Sequence, residues 1–178
     1  MKKILSAILA LCMIVSVTAC SSENESSVPE EVKGSENRTM REMTTQELIE
    51  DMGLGINLGN TFESCGNWIN KSSVTNYETA WGSPVITEQM IKGYKDCGFG
   101  VMRLPVAWSN MMDKETYTIN PDYMARVKEV LNWALDSDLY VILNIHYDNG
   151  WFSDFADDKK RDECFKKYEA IWKQLCEE

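Results

Sequence analysis

The chain has 178 residues and a formal net charge of −10, with 44% hydrophobic and 26% charged residues. This composition is typical of a globular domain and excludes a wholly disordered or collagen-like chain. The surplus of acidic residues argues against a nucleic-acid-binding protein, which needs a basic surface. A single histidine, His146, excludes metal sites that are built from several histidines.

The N-terminal segment has the pattern of an export signal. Lys2 and Lys3 precede an uncharged, largely apolar run of 14 residues, Ile4 to Val17, which is shorter than the about 20 residues of a membrane-spanning helix. The run ends in Val-Thr-Ala-Cys, which resembles the bacterial lipobox. This pattern predicts cleavage before Cys20 and lipidation of that residue. Ordinary secretory cleavage near Ala19, with Cys20 left unmodified, is the alternative.

The predicted chain therefore has three parts: a lipoprotein signal peptide at residues 1–19, the lipidated Cys20 with a disordered tether at residues 20–43, and a folded domain at residues 44–178. The tether is rich in serine and glutamate and has no aromatic residue, so it cannot bury enough apolar surface to order itself. Acyl chains on Cys20 would hold the protein on a membrane surface. We therefore expect an exported bacterial lipoprotein at the cell surface.

The folded domain alternates predicted helices and strands. In chain order we predict a helix at Thr45–Met52, a strand at Leu54–Leu58, a loop at Gly59–Val85, a helix from Thr87 to Cys97, a strand at Val101–Val106, a helix that begins at Asn120 and Pro121, a strand at Leu139–Ile145 and a helix from Asp158 to about Cys176. Thr87 and Asn120 are expected N-caps. The last helix is expected to bury one side, formed by Phe165, Tyr168, Ile171, Trp172 and Leu175.

Strands that are apolar on both faces and alternate with amphipathic helices are typical of a parallel sheet covered on both sides. The predicted fold class is therefore α/β. The alternation alone does not distinguish an open sheet from a closed barrel.

Polar side chains lie at or beyond the ends of the predicted strands. Asn57 lies in the segment NLGNTFE, Arg103 interrupts the second strand, and His146, Tyr147 and Asp148 follow the third. In parallel α/β folds the functional site lies at the carboxyl ends of the strands. An arginine in an apolar strand needs a carboxylate or several carbonyl partners, since burying an unpaired cation is costly. A structural ion pair or a snorkelling side chain for Arg103, and a satisfied core histidine for His146, are the alternatives.

Three tryptophans, Trp81, Trp108 and Trp151, lie in predicted loops or at strand ends. Indole rings pack well against the apolar faces of sugars, so these positions favour a sugar site. The alternative is that each ring packs against the rim of the fold. The chain contains no glycine-rich phosphate loop and no GxSxG motif, which argues against a nucleotide-binding protein or a serine hydrolase of that type.

Five segments together resemble glycoside hydrolase family 5, and within it the bacterial endoglucanase branch: GLGINLGNTFE, YETAWGSP, GFGVMRLPVAW, YVILNIHYDNGW and KKYEAIWKQL. They cover the chain from about Thr45 to its last residues. The resemblance implies a (β/α)8 TIM barrel, of which this chain would form an incomplete N-terminal portion of about three βα units.

The resemblance also implies roles for individual residues. Arg103 matches the arginine of the second strand that holds the nucleophile carboxylate, and His146 matches the histidine near the sugar in subsite −1. Tyr147 lies where this branch commonly has a second histidine. The residues expected to line the substrate cleft are Asn57, Trp81, Tyr147 and Trp151. Family members hydrolyse β-1,4-glucans with retention, using two glutamates about 5–5.5 Å apart, so we expect no cofactor and no metal.

Both family glutamates lie on later strands, and the Asn-Glu-Pro motif that carries the acid/base residue does not occur in this chain. Glu63 and Asp148 follow the first and third predicted strands, and Glu78 is a further acid in the predicted loop; we do not expect these acids to form a catalytic pair. The expectation is the N-terminal part of a monomeric, surface-anchored endo-β-1,4-glucanase that acts on β-glucans and is inactive alone. The alternative is a non-catalytic glycan-binding lipoprotein that kept the rim of the cleft.

Overall fold

The computed structural model describes residues 42–178, which contain one parallel sheet of three strands in the order β1-β2-β3. The strands are β1 (Leu54–Asn57), β2 (Phe99–Val106) and β3 (Tyr140–Ile145). The helices are α1 (Thr45–Met52), α2 (Thr75–Thr79), α3 (Glu88–Asp96), α4 (Pro121–Asp136) and α5 (Arg161–Glu177), with 3₁₀ segments at Trp108–Met111 and Asp148–Ala156. All three predicted strands are confirmed, with ends that differ by one or two residues.

The predicted signal peptide, the predicted lipidation site Cys20 and most of the predicted tether lie outside the described residues. Within residues 42–178, no helix combines the length and the apolar character that crossing a lipid bilayer requires.

The helices begin where short-range capping predicts. The Thr87 hydroxyl accepts the Met90 N–H at 3.4 Å, and α3 begins at the next residue. The Asn120 side chain accepts the N–H groups of Asp122 and Tyr123 at 2.9 and 3.3 Å, and Pro121 is the first residue of α4. These side chains satisfy amides that a helix leaves without a partner in its first turn. The predicted caps Thr87 and Asn120 are therefore confirmed.

The segment predicted as a loop at residues 59–85 contains the short helix α2, which the sequence analysis missed. Its residues Tyr77 and Glu78 are 1% and 0% exposed. The Tyr77 hydroxyl donates to the Asn110 carbonyl at 2.9 Å. Such contacts with distant residues hold a helix too short to be stable by itself.

The two faces of the sheet differ. On one face Met102, Leu104 and Val106 are all 0% exposed and pack in a core that includes residues of α3, α4 and α5. On the other face Arg103 lies between Asn57 and Ile142 in register, and Ile142 is 46% exposed. Within residues 42–178 the helices therefore lie over one face, which agrees with the predicted incomplete barrel and differs from the general pattern of a sheet covered on both sides. In a closed barrel the second face is filled by side chains of the other strands.

Helix α5 buries less of its predicted apolar side than expected. Ile171 is 0% exposed, but Phe165 and Tyr168 are 55% and 40% exposed. Both rings instead make edge contacts with Phe155 of the second 3₁₀ segment, at centroid distances of 5.1 and 6.4 Å. This aromatic cluster lies beside the core rather than inside it, because the 3₁₀ segment packs along α5 at this point.

A buried ion pair joins α2 to α4. Both carboxylate oxygens of Glu78 accept from the Arg126 guanidinium, at 2.9 and 3.0 Å, and Oε2 also accepts the Ile86 N–H at 3.0 Å. Arg126 in turn donates to the Ile86 carbonyl at 2.7 Å. The pair therefore fixes both ends of the loop that carries Trp81.

Replacing Arg126 with methionine should destabilise the chain strongly. The change keeps much of the apolar stem but leaves the Glu78 carboxylate buried without its cation, which costs about 3–5 kcal/mol. Lys128→Met is the matched control on the same helix, because the pair of Lys128 with Glu178 is exposed and such pairs contribute about 0–1 kcal/mol. Urea unfolding monitored by circular dichroism measures both changes. Equal, small losses of unfolding free energy in the two variants would contradict the assignment of Glu78 and Arg126 as a buried, stabilising ion pair.

Candidate active site

Three polar side chains meet at the carboxyl ends of the strands. Arg103 Nη1 donates to Asn57 Oδ1 at 3.3 Å, and Arg103 Nη2 lies 3.1 Å from His146 Nδ1. Asn57 ends β1 beside Arg103, while the His146 N–H donates to the Val106 carbonyl at 2.9 Å and extends the pairing of β2 with β3. The sequence-predicted residues Asn57, Arg103 and His146 therefore form one connected group across all three strands.

The contact with Arg103 determines the protonation pattern of His146. A guanidinium carries only hydrogen-bond donors, so the ring nitrogen that faces it must accept. His146 Nδ1 therefore has no proton in this arrangement, and the neutral ring carries its proton on Nε2. Nε2 is then the hydrogen-bond donor of the ring.

Arg103 is held by neutral groups. None of the ion pairs among residues 42–178 includes Arg103, and its side-chain hydrogen-bond partners are an amide oxygen and an imidazole nitrogen. A pocket of about 150 Å³ on the open face of the sheet is lined by Gly55, Ile56, Asn57, Val101, Arg103 and Ile142. The guanidinium thus has donors available at the carboxyl ends of the strands for an anionic partner.

Two of the predicted cleft residues are exposed. Trp81 is 40% exposed, and its loop is tied to the end of β1 by the Ser83 hydroxyl, which donates to the Gly59 carbonyl at 3.3 Å. Tyr147 follows His146 directly and is 61% exposed. Both aromatic rings are therefore free to meet a ligand at this end of the sheet.

Trp151, the fourth predicted cleft residue, is half-buried and makes contacts within the chain. Its ring stacks on Phe152 at 4.1 Å between centroids, and the Lys167 Nζ lies 4.3 Å from its centroid. Its Nε1–H donates to Asp148 Oδ2 at 2.7 Å. The structure does not bring Trp151 into contact with the group of Asn57, Arg103 and His146.

Trp108 does not belong to the rim, so the sugar-site interpretation of this residue is wrong. It is 0% exposed and packs edge-on against Tyr123, with ring centroids 6.0 Å apart. Its predicted position at a strand end is correct, but the residue lies on the 3₁₀ segment after β2 and its ring belongs to the hydrophobic core.

The three acids considered as catalytic candidates, Glu63, Glu78 and Asp148, are all engaged inside the chain. Glu63 is 6% exposed and accepts the N–H groups of Asn60 and Thr61 at 2.6 and 3.0 Å. Glu78 pairs with Arg126 as described above. Asp148 is 0% exposed and accepts from Ser109 and Trp151. None of these contacts links two of the three acids.

Burial governs the electrostatics of Asp148. Loss of hydration raises the pKa of this carboxyl above its ordinary value, against the hydrogen bonds from Ser109 and Trp151, which lower it. Burial also lowers the pKa of the nearby Lys167 ammonium. Ser109 is the residue that sequence reasoning missed, because no local pattern marks a serine whose partner lies 39 residues away.

In the described part of the chain, no cluster of three or more histidine, cysteine or acidic side chains has the arrangement of a metal site. The four described cysteines, Cys65, Cys97, Cys164 and Cys176, are free thiols.

The His146 ring should be observed as the Nε2–H tautomer. Because the chain has one histidine, its imidazole ¹⁵N signals can be assigned without ambiguity in the untagged, ¹⁵N-labelled protein. Long-range ¹H–¹⁵N spectra above neutral pH should show a protonated Nε2 and an unprotonated Nδ1. In Arg103→Met this preference should weaken, because the donor to Nδ1 is lost. An Nδ1–H tautomer in the wild-type chain would contradict the contact.

Comparison with known proteins supports one family. The family model for cellulase (glycosyl hydrolase family 5) matches residues 62–178. The chain is 39% identical over 143 residues to the xyloglucan-specific endo-beta-1,4-glucanase BoGH5A of Bacteroides ovatus. The aligned region covers 79% of this chain and 28% of that protein. It is 37% identical over 139 residues to endoglucanase A of Ruminococcus albus, covering 78% and 36%.

Solved structures agree with this assignment. A GH5-4 broad specificity endoglucanase from Ruminococcus champanellensis with bound cellotriose matches with a TM-score of 0.70 and 36% identity, over 78% of this chain and 40% of that one. The chain thus spans between 28% and 40% of the length of these three relatives. The resemblance found in the sequence and the predicted fold class are confirmed: the chain belongs to glycoside hydrolase family 5, and its three parallel strands are part of a (β/α)8 barrel.

Proposed function

We propose that this chain is the N-terminal part of an endo-β-1,4-glucanase that hydrolyses β-glucan chains with retention of configuration. The observation that carries the proposal is the Arg103 guanidinium, which Asn57 and His146 hold at the carboxyl ends of the strands without a carboxylate from residues 42–178. Support for the substrate comes from the relatives, which are described as endoglucanases, one of them specific for xyloglucan.

In this proposal Arg103 binds and orients the nucleophile glutamate. The planar fork of a guanidinium suits a carboxylate and favours its ionised form. A retaining glycosidase needs two carboxyl groups about 5–5.5 Å apart, one as acid/base and one as nucleophile. Because Glu63, Glu78 and Asp148 are engaged elsewhere, both groups would come from a longer protein, and residues 1–178 alone would be inactive.

The neighbouring side chains then contact the sugar. The Nε2–H of His146 would donate to a hydroxyl of the sugar in subsite −1, and Asn57 would keep the guanidinium in place beside it. Trp81 and Tyr147 offer exposed aromatic surface on which pyranose rings can pack. The contribution of Trp151 to substrate binding would be less direct, since its contacts are with Asp148, Phe152 and Lys167.

The proposal includes export and anchoring. The apolar run that ends at Cys20 supports a lipoprotein signal, and the acidic tether would hold the barrel away from the membrane. Replacing Cys20 with serine should move the protein from the membrane fraction to the soluble fraction of the producing cells. An unchanged distribution would contradict lipid anchoring.

Loss of the Arg103 guanidinium should strongly reduce glucanase activity. In the product of the full reading frame that contains these residues, Arg103→Met should lower kcat on cellohexaose about 10²–10³-fold, the effect of removing an electrostatic donor from an active site. Arg103→Lys should retain part of the wild-type activity, since an ammonium group keeps the positive charge but lacks the planar fork of the guanidinium. Arg161→Met is the control, because Arg161 pairs with Asp158 on the surface.

Proton NMR of the first product should show the retained β-anomer. No hydrolysis by the wild-type enzyme, together with heat of binding to cellohexaose in isothermal titration, would contradict the enzyme proposal and favour the alternative of a non-catalytic glycan-binding lipoprotein. The exposed Trp81 and Tyr147 are the observation that favours this second function.

A further inference from the structure

Asp148 is a buried acid that has no part in the proposed chemistry, yet it joins the segments that follow β2 and β3. Its two carboxylate oxygens accept the Ser109 N–H at 3.0 and 3.1 Å. Oδ2 also accepts the Ser109 hydroxyl and the Trp151 Nε1–H, both at 2.7 Å. One side chain, 0% exposed, therefore connects the 3₁₀ segment after β2 with the 3₁₀ segment after β3.

The turn that carries Asp148 has an unusual backbone. Asp148, Asn149 and Gly150 have φ values of +50°, +61° and +75°. Left-handed conformations are uncommon for residues other than glycine, and two in succession persist only where other contacts hold them. Within the turn, the Gly150 N–H donates to the Tyr147 carbonyl at 2.7 Å. The carboxylate contacts anchor this turn to Ser109.

The same turn sets the position of two residues of the candidate site. The His146 N–H is fixed to the Val106 carbonyl at 2.9 Å, and Asp148 is fixed to Ser109, three residues beyond Val106. The backbone between these two anchors carries the His146 ring and the Tyr147 ring. Tyr147 also lies against Gly150, where an added Cβ would approach its ring to 3.3 Å.

We propose that Asp148 is a positioning residue whose carboxylate holds the left-handed turn against Ser109 and thereby sets the orientation of the His146 imidazole towards Arg103 and of the Tyr147 ring towards substrate. The part that concerns substrate rests on the proposed glucanase function. The part that concerns His146 does not.

Two substitutions separate the shape of Asp148 from its charge. In Asp148→Asn, the amide oxygen in place of Oδ2 keeps three of the four contacts: those from the Ser109 N–H, the Ser109 hydroxyl and Trp151. Asp148→Ala removes all four. A positioning role therefore predicts that asparagine rescues what alanine loses, whereas a role for the negative charge predicts that both variants fail.

The imidazole signals of His146 test the positioning directly in the untagged 178-residue chain. In Asp148→Ala the ¹⁵N signals should shift and lose the pattern of a single Nε2–H tautomer, while Asp148→Asn should keep the wild-type pattern. Asp154→Ala is the matched control in the same 3₁₀ segment, because Asp154 pairs with the exposed Lys160 at 3.0 Å. Its spectrum should match that of the wild type.

In the product of the full reading frame, Asp148→Ala should lower kcat on cellohexaose about 100-fold, the order expected for a misplaced active-site group. KM should change much less, and Asp148→Asn should stay close to the wild-type kcat. If the wild-type enzyme has no glucanase activity, the proposed function fails, and the His146 spectra still decide the role of Asp148.

Unchanged His146 signals in Asp148→Ala would overturn the proposal, and so would an Asp148→Asn variant as impaired as Asp148→Ala. If circular dichroism shows that Asp148→Ala does not fold, Ser109→Ala decides the question. That variant removes one 2.7 Å contact and keeps both backbone contacts, so a smaller shift of the same signals is expected. No shift in a folded Ser109→Ala would overturn the proposal.

Discussion

A guanidinium placed within a mostly apolar parallel sheet constrains the rest of this molecule. Arg103 lies on the middle strand, and its neighbours in register are Asn57 and Ile142, which cannot neutralise its charge. The two groups that it contacts orient the fork but leave its charge uncompensated among residues 42–178. A partly buried cation in this position is stable when an anion lies beside it, because the desolvation of an unpaired charge is costly. The proposed nucleophile glutamate of a longer barrel would satisfy this requirement.

The acids that the chain contains near this group serve its architecture. Glu63 accepts the amides of the turn after β1, Glu78 holds the loop of Trp81 through Arg126, and Asp148 joins the segments after β2 and β3. Each carboxylate is buried and hydrogen-bonded, as buried polar groups in folded proteins are. The rim of the sheet is thus shaped by carboxylates that are not available for proton transfer to a substrate. These buried acids therefore shape the site, whereas the proposed hydrolysis would use other carboxylates.

The unequal faces of the sheet are explained by the barrel fold, of which residues 42–178 supply three strands. One face is packed by helices around Met102, Leu104 and Val106, while the face that carries Arg103 is open at Ile142. In the barrels of this family the second face is an interior filled in layers by side chains from alternate strands. Three strands supply only part of such a layer, and the chain spans 28–40% of the length of the three relatives compared here.

Features that depend on neighbours in the chain follow from the amino-acid pattern. The N-caps Thr87 and Asn120 act within three residues, and the strands follow from short apolar runs, so both were predicted correctly. The meeting of Asn57, Arg103 and His146 was also predictable, because parallel strands bring their carboxyl ends to one edge. The burial of Trp108 in the core is visible only in the folded structure, since its ring packs on Tyr123 of α4, which local sequence patterns do not specify. The contact between Ser109 and Asp148 also depends on the three-dimensional fold, because α4 and β3 lie between these residues, which are 39 positions apart, and no local periodicity encodes the contact.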